Sequence, residues 1–263
     1  MIHISDLNVH LGKAHIVHKA RFDALAGEIT VIVGPNGSGK TTLMRALSGD
    51  LSYTGTITIN GHSLSHLKLW QMAAMRAILP QSTSLAFPFT VREIIKLGLT
   101  SGRSLGSAKN MDHLPDEALE LVDLAGFGGR FYQELSGGEQ QRVQLARVLC
   151  QVWEPVLDDQ PRFLFLDEPV SSLDIKHQLI IMEIAQSFAK RGGGVIAILH
   201  DLNLTSMYAD RVVVMHQGRV DSVGSPREVL TDERILRVYE CALKVGVLPA
   251  AQVPFVLPQS AVI

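Results

Sequence analysis

The sequence predicts an α/β fold built on a mostly parallel sheet, and three observations predict it. Short apolar runs (Glu28 to Val33, Phe163 to Leu166, Val195 to Leu199) alternate with amphipathic helical segments, as in a sheet covered on both faces. A glycine-rich stretch sits between the first of these runs and a helix. The middle of the chain, from about Pro88 to Trp153, loses strand periodicity and reads as mainly helical.

Each element follows from local chemistry. Ile2 to Val9 alternates as a strand, Gly12 breaks it, and Ile16 to Ala26 resumes. Glu28 to Val33 is a buried strand, and Lys40 to Ser48 a helix. Thr54 to Asn60 is another strand, closed by the turn pair Asn60-Gly61. Thr100 to His113, with its Gly, Ser and Lys, reads as a flexible connection. Asp116 to Leu124 is an amphipathic helix stopped near Gly126, and Gly137 to Gln151 a longer one. Ile175 to Lys190 is a helix stopped by Gly192-Gly193-Gly194, and Leu202 to Tyr208 another. Val212 to Met215 and Arg219 to Val223 flank Gln217-Gly218 as a hairpin, and Leu243 to Pro258 reads as a β-rich appendage. No internal repeat or low-complexity segment interrupts the pattern.

The 263 residues suffice for one large domain or two small ones, and 46% hydrophobic with 19% charged residues is ordinary for a packed globular chain. With 24 basic and 26 acidic residues the net charge is -2, which argues against nucleic acid as the main partner. Cys150 and Cys241 show no metal-ligand spacing and are expected to be two buried free thiols in a reducing compartment. Met1 to Ser5 alternates like a strand and lacks the basic-then-apolar pattern of a signal peptide. No apolar run approaches the roughly 20 residues of a membrane span, so any membrane role is expected to come through a partner.

Gly34-Pro35-Asn36-Gly37-Ser38-Gly39-Lys40-Thr41 matches G-x-x-x-x-G-K-[ST] between a strand and a helix, the context that pattern requires. The glycines let the main chain wrap a phosphate and aim N–H groups inward, and the helix N-terminus adds a favourable dipole. Lys40 is expected at the β- and γ-phosphates and Thr41 on Mg²⁺. A second acidic site follows the apolar strand that ends in Asp167-Glu168. Asp167 is placed to hold Mg²⁺, and Glu168 to take a proton from an attacking water.

Leu135-Ser136-Gly137-Gly138-Glu139-Gln140-Gln141 opens the long helix and makes a second anion-binding end. One phosphate loop already serves one nucleotide, so the simplest use of this end is a nucleotide on a second copy of the chain. Here nearly the whole sequence resembles the ATP-binding subunits of ABC transporters. Leu135 to Gln141 is similar to that family's signature motif, Gln81 to its Q-loop residue, Ser172-Leu173-Asp174 to its D-loop and His200 to its switch histidine.

The resemblance implies a P-loop NTPase core of the ABC ATPase type, with an antiparallel β edge and a helical subdomain. The expected limits are about 1–87 and 160–242 for the core, 88–159 for the helical part and 243–263 for the tail. It implies MgATP hydrolysis by a head-to-tail homodimer. Gly34 to Thr42, including Thr42, would hold the nucleotide with Ser136, Gly137, Gly138 and Asp174. Thr41, Gln81 and Asp167 would hold Mg²⁺, and Glu168, Gln81 and His200 would carry the chemistry. The family usually stacks an aromatic residue on adenine. The equivalent here is Leu11 before Gly12, with His10 as the alternative.

The stretch Ala77 to Val91 resembles the ATPase subunits of haem importers within the iron, siderophore and cobalamin group, and Trp153 to Gln160 and Ser172 to Gln178 fit the same subfamily. This implies two copies of a permease, a periplasmic haem-binding protein acting through them, and a place on the cytoplasmic face of the inner membrane. A ferric siderophore or cobalamin importer is the runner-up. His3, His10, His15 and His18 read as surface or strand-edge residues, because the family passes substrate through its membrane partner. A chromosome-organising ATPase would need a long coiled coil between Lys40 and Ser136, and no heptad run occurs there. A GTPase switch would need Asn-Lys-x-Asp, which the chain lacks.

Overall fold

The computed structural model describes residues 1–81, 87–101, 112–248 and 254–261. Residues 82–86, within the stretch that resembles haem importers, and 102–111, most of the expected flexible connection, lie outside the described residues.

The chain opens with β1 (Ile2–Leu11), β2 (Ala14–Ala24), β3 (Ile29–Val33), α1 (Lys40–Leu47), β4 (Thr54–Ile59), β5 (His62–Ser63), α2 (Leu69–Met75) and β6 (Arg76–Leu79). Helices α3 (Val91–Ser101), α4 (Leu114–Leu121) and α5 (Gly137–Gln151) make up the central region. A short hairpin, β7 (Val156–Leu157) and β8 (Gln160–Pro161), lies between these helices and the next strand. Then come β9 (Phe163–Asp167), α6 (Ile175–Lys190), β10 (Gly194–Ile198), α7 (Leu202–Tyr208), β11 (Arg211–His216), β12 (Arg219–Gly224), α8 (Pro226–Val229) and α9 (Asp232–Tyr239).

The main sheet runs β12-β11-β3-β10-β9-β6 and is parallel apart from the β11–β12 hairpin. A separate antiparallel sheet runs β2-β1-β4-β5. Every residue of β3, β9 and β10 is buried, which explains their unbroken apolar sequences. Alternate residues serve two cores. Phe163, Phe165, Ile196 and Ile198 pack with α1 and the antiparallel sheet. Leu164, Leu166, Val195 and Ala197 pack with α5, α6 and the central helices.

Two expectations change. The tail shows no strand in its described residues 243–248 and 254–261, only a 3₁₀ turn at Pro258–Ser260. The bonds it makes are local or to side chains: Val245 N–H donates to Asp232 Oδ1 at 2.7 Å, and Ser260 N–H to Leu257 O at 2.9 Å. Cys150 is buried, but Cys241 is exposed just beyond α9, so only one thiol is interior. Burial pushes the Cys150 thiol up to about 12. Strand β6 and helix α2 were not evident in the sequence. The Ala-, Leu- and Met-rich run around them has no clear period, and β6 becomes a strand by pairing with β9.

Candidate functional site

Strand order positions the site. In β3-β10-β9-β6 the register sets Ile198 beside both Ile32 and Asp167, and Leu79 beside Leu166. The residues that follow these strands therefore stand side by side at the carboxyl edge of the sheet, where ligands bind in open α/β folds. Gly34, His200, Glu168 and Gln81 are close in space although far apart in the chain.

The loop from Gly34 to Gly39 turns from β3 into α1. Gly34 has φ 151, and a Cβ there would overlap the carbonyl oxygen of Met215 in β11. Only glycine lets the loop sit this close to the neighbouring strand. The β11–β12 turn braces its far side, where Gly218 N–H donates to Ser38 O at 3.1 Å. Lys40 is buried, and its ammonium donates to Gly34 O at 2.8 Å and Pro35 O at 3.0 Å. Burial lowers its pKa, opposed by the nearby Glu168 and Asp167 carboxylates. A depression of about 340 Å³ above the loop is lined by Asn36, Gly37, Gly39, Lys40, Thr41, Thr42 and Glu168, with Leu11 and Ile16 at one side.

Glu168 is the hub of the acidic side. Gln81 Nε2 donates to its Oε2 at 2.8 Å, and His200 Nε2 contacts its Oε1 at 2.7 Å. Its φ is 52, a left-handed conformation that costs an L-residue about 1–2 kcal/mol and persists only where surroundings enforce it. Asp167 is buried, and its Oδ1 has no hydrogen-bond partner. Burial, then the neighbouring Glu168 charge, raises its carboxyl to about 6, against the pull of Lys40, His200 and Arg45. An orphaned buried carboxylate oxygen is a hard oxygen donor, and it fits a hard divalent cation such as Mg²⁺.

This shift makes stability depend on pH. Asp167 holds its proton to about pH 6 when folded but loses it near 3.8 when unfolded. Over that interval the folded state binds more protons, so stability falls as pH rises from 3.8 to about 6 and is flat above it. The urea midpoint of cation-free protein, compared with Asp167→Asn between about pH 4 and 6, should show this fall only with the aspartate. Parallel curves for the two proteins would refute the assignment.

The Ser136 end of α5 is built as a capping box. Glu139 Oε2 accepts from Ser136 N–H and Oγ at 2.7 Å each, while Ser136 Oγ accepts from Glu139 N–H at 3.3 Å. Ser136, Gly137 and Gly138 do not line the depression over the phosphate loop. Gly138 instead lies against Ser172 and Leu173. Asp174 caps α6, accepting from His177 N–H at 2.9 Å, and it too stands outside the depression.

Of the two candidates for contacting a base, Leu11 lines the depression and is 42% exposed. His10 does not, and its ring stacks on His15 at 4.1 Å between centroids. Ile16 joins Leu11, a residue that sequence reasoning missed because its place depends on hairpin register. His15 also contacts His18, at 3.8 Å, and His3 bonds to Asp23 at 2.6 Å. Among the described residues no group of three or more His, Cys, Asp or Glu side chains is arranged to hold a metal ion.

A sequence model of the ABC transporter family matches residues 17–171, more than half of the chain. The chain belongs to the ABC transporter family. Within that family it is 65% identical over 262 residues to the hemin import ATP-binding protein HmuV of Mesorhizobium japonicum, covering 100% of both chains. It is 59% identical over 263 residues to the protein of the same name from Chelativorans sp., again covering 100% of both. In fold it is similar to a solved ATP-binding subunit of an ABC transporter, with TM-score 0.77 and 22% identity over 92% of this chain and 94% of that one. A second solved ATP-binding cassette, in its ADP conformation, aligns with TM-score 0.76 at 21% identity over 91% and 98% of the two chains. As in the family, the fold is an α/β core with an antiparallel edge sheet and added helices. No described helix is long and apolar enough to cross a membrane.

Proposed function

We propose that the chain is the ATP-hydrolysing subunit of an ABC importer and couples ATP turnover to hemin import. The observation that carries the enzymatic part is the convergence of Gln81 and His200 on Glu168, beside Lys40 and the unpartnered Asp167 oxygen. ATP lies on the loop from Gly34 to Thr42, with Leu11 and Ile16 against the base. Lys40 leaves the Gly34 and Pro35 carbonyls for the β- and γ-phosphates. Thr41, Asp167 and Gln81 would hold Mg²⁺, whose contribution when bound is to neutralise phosphate charge. Gln81 and His200 orient Glu168, which takes a proton from the water attacking the γ-phosphorus, and the β–γ bridging oxygen leaves with ADP. His200 also holds the γ-phosphate.

The Ser136 helix end, exposed and away from its own phosphate loop, serves the nucleotide of a second copy in a head-to-tail homodimer, with Asp174 at the seam. Two permease subunits and a periplasmic haem-binding protein complete the transporter at the cytoplasmic face of the inner membrane. Full-length identity to proteins named for hemin import supports the cargo. The test is reconstitution with the genomically neighbouring permease and binding protein in liposomes. ATP-driven uptake of haem, and not of a ferric siderophore or cobalamin, is the expected result. Uptake of either alternative without haem would reassign the cargo, and no ATP dependence would end the reading.

A further inference from the structure

The strained main chain of Glu168 needs an anchor outside its own loop. Three groups donate to its carbonyl oxygen: Ser171 Oγ at 3.2 Å, Ser171 N–H at 3.4 Å and Gln141 Nε2 at 3.2 Å. The Ser171 bonds are local and move with the turn. Gln141 alone ties this carbonyl to another element, α5. That helix is itself fixed, with Val143, Gln144, Leu145 and Ala146 buried in the core. Its first turn also presses Gly138 against Leu173, just beyond the same turn. Gln141 is half-buried at the junction, so its amide bond competes little with water.

We infer that Gln141 is a positioning residue for the reaction: it holds the left-handed Glu168 turn so that the carboxylate faces Gln81 and His200. The inference rests on the reading of Glu168 as the base. Gln141 lies five residues beyond Ser136 on one helix. The element that presents Ser136 outward therefore also steadies the base of its own subunit.

The substitutions Gln141→Leu and Gln141→Glu test this. The first removes the donor, and the second is isosteric but sets an acceptor against the carbonyl. Misaiming a reacting group by about 1 Å can cost about 100-fold, so kcat should fall roughly 10- to 100-fold, further for Glu than for Leu. KM for MgATP, equilibrium ATP binding and Tm should stay near wild type, because the phosphate loop is untouched. Added to Glu168→Gln, neither substitution should lower turnover further, since Gln141 acts through Glu168. Wild-type kcat in both variants, a matching rise in KM, or an additive loss in the double variant would overturn the inference. Should Glu168→Gln alone retain full turnover, the base assignment falls and the inference with it. An inactive Glu168→Gln beside normal Gln141 variants overturns the inference alone. A variant that fails to fold shows a collapsed Tm, and the other then decides.

Discussion

Glu168→Gln is expected to abolish steady-state turnover while leaving ATP bound. The carboxamide has the same shape and can still meet Gln81 and His200, which now hold the carboxylate at 2.8 and 2.7 Å. It cannot accept the proton of the attacking water. Loss of a general base typically costs about 100- to 10,000-fold in rate. Phosphate release should fall by that order, while equilibrium ATP binding stays within a few-fold of wild type. With ATP no longer consumed, the head-to-tail dimer proposed above should persist, so size-exclusion chromatography with MgATP should shift toward twice the chain mass. Undiminished hydrolysis would remove Glu168 as the base. Lost ATP binding would instead make it a binding residue.

The second large effect is expected from Gly34→Ala. At φ 151 an L-residue is strained, and the added Cβ would overlap Met215 O and lie 2.9 Å from Ser38 Oγ. Neither neighbour yields easily. The first is main chain in β11, and the second belongs to the residue that Gly218 braces. The loop must leave the strand, taking with it the carbonyl that holds Lys40. Stability should fall by about 2–4 kcal/mol. ATP affinity should fall more than about 100-fold, as expected when a preorganised site loses its shape. Gly37→Ala is the control: φ is 77, but no atom lies within 4 Å of the added Cβ, so only the backbone cost of about 1–2 kcal/mol applies. Calorimetric titration with ATP and urea denaturation separate the two. Wild-type affinity in Gly34→Ala would show that the loop does not depend on this close approach.

The local shape of a motif was legible in the sequence wherever its residues are contiguous. The loop from Gly34 to Thr41, the Asp167-Glu168 pair and the Ser136 helix end each occupy one short stretch, and their local context sets their shape. Helices α5, α6 and α7 were also legible, because each opens on a strong cap: Ser136, Asp174 and Asp201 each cap with a side chain. The tail misled because alternating apolar residues resemble a strand, yet a strand requires a partner edge, and its described residues pair with none. The placement of Ile16 beside Leu11 depends on how two strands register, and hairpin register is set by the whole sheet.

By itself, then, the sequence determined the α/β class and the chemical groups on offer, because buried parallel strands and phosphate loops impose composition and order on adjacent residues. The tertiary structure alone decided how those groups meet. Gln81 and Glu168 are 87 positions apart and His200 and Glu168 are 32 apart, and strand order brings their side chains within hydrogen-bond reach. It likewise decided that Asp167 stays buried with a free oxygen, and that Gln141 reaches the carbonyl of Glu168. The physical reason is that desolvation and side-chain bonding depend on packing between distant segments, which local sequence does not record.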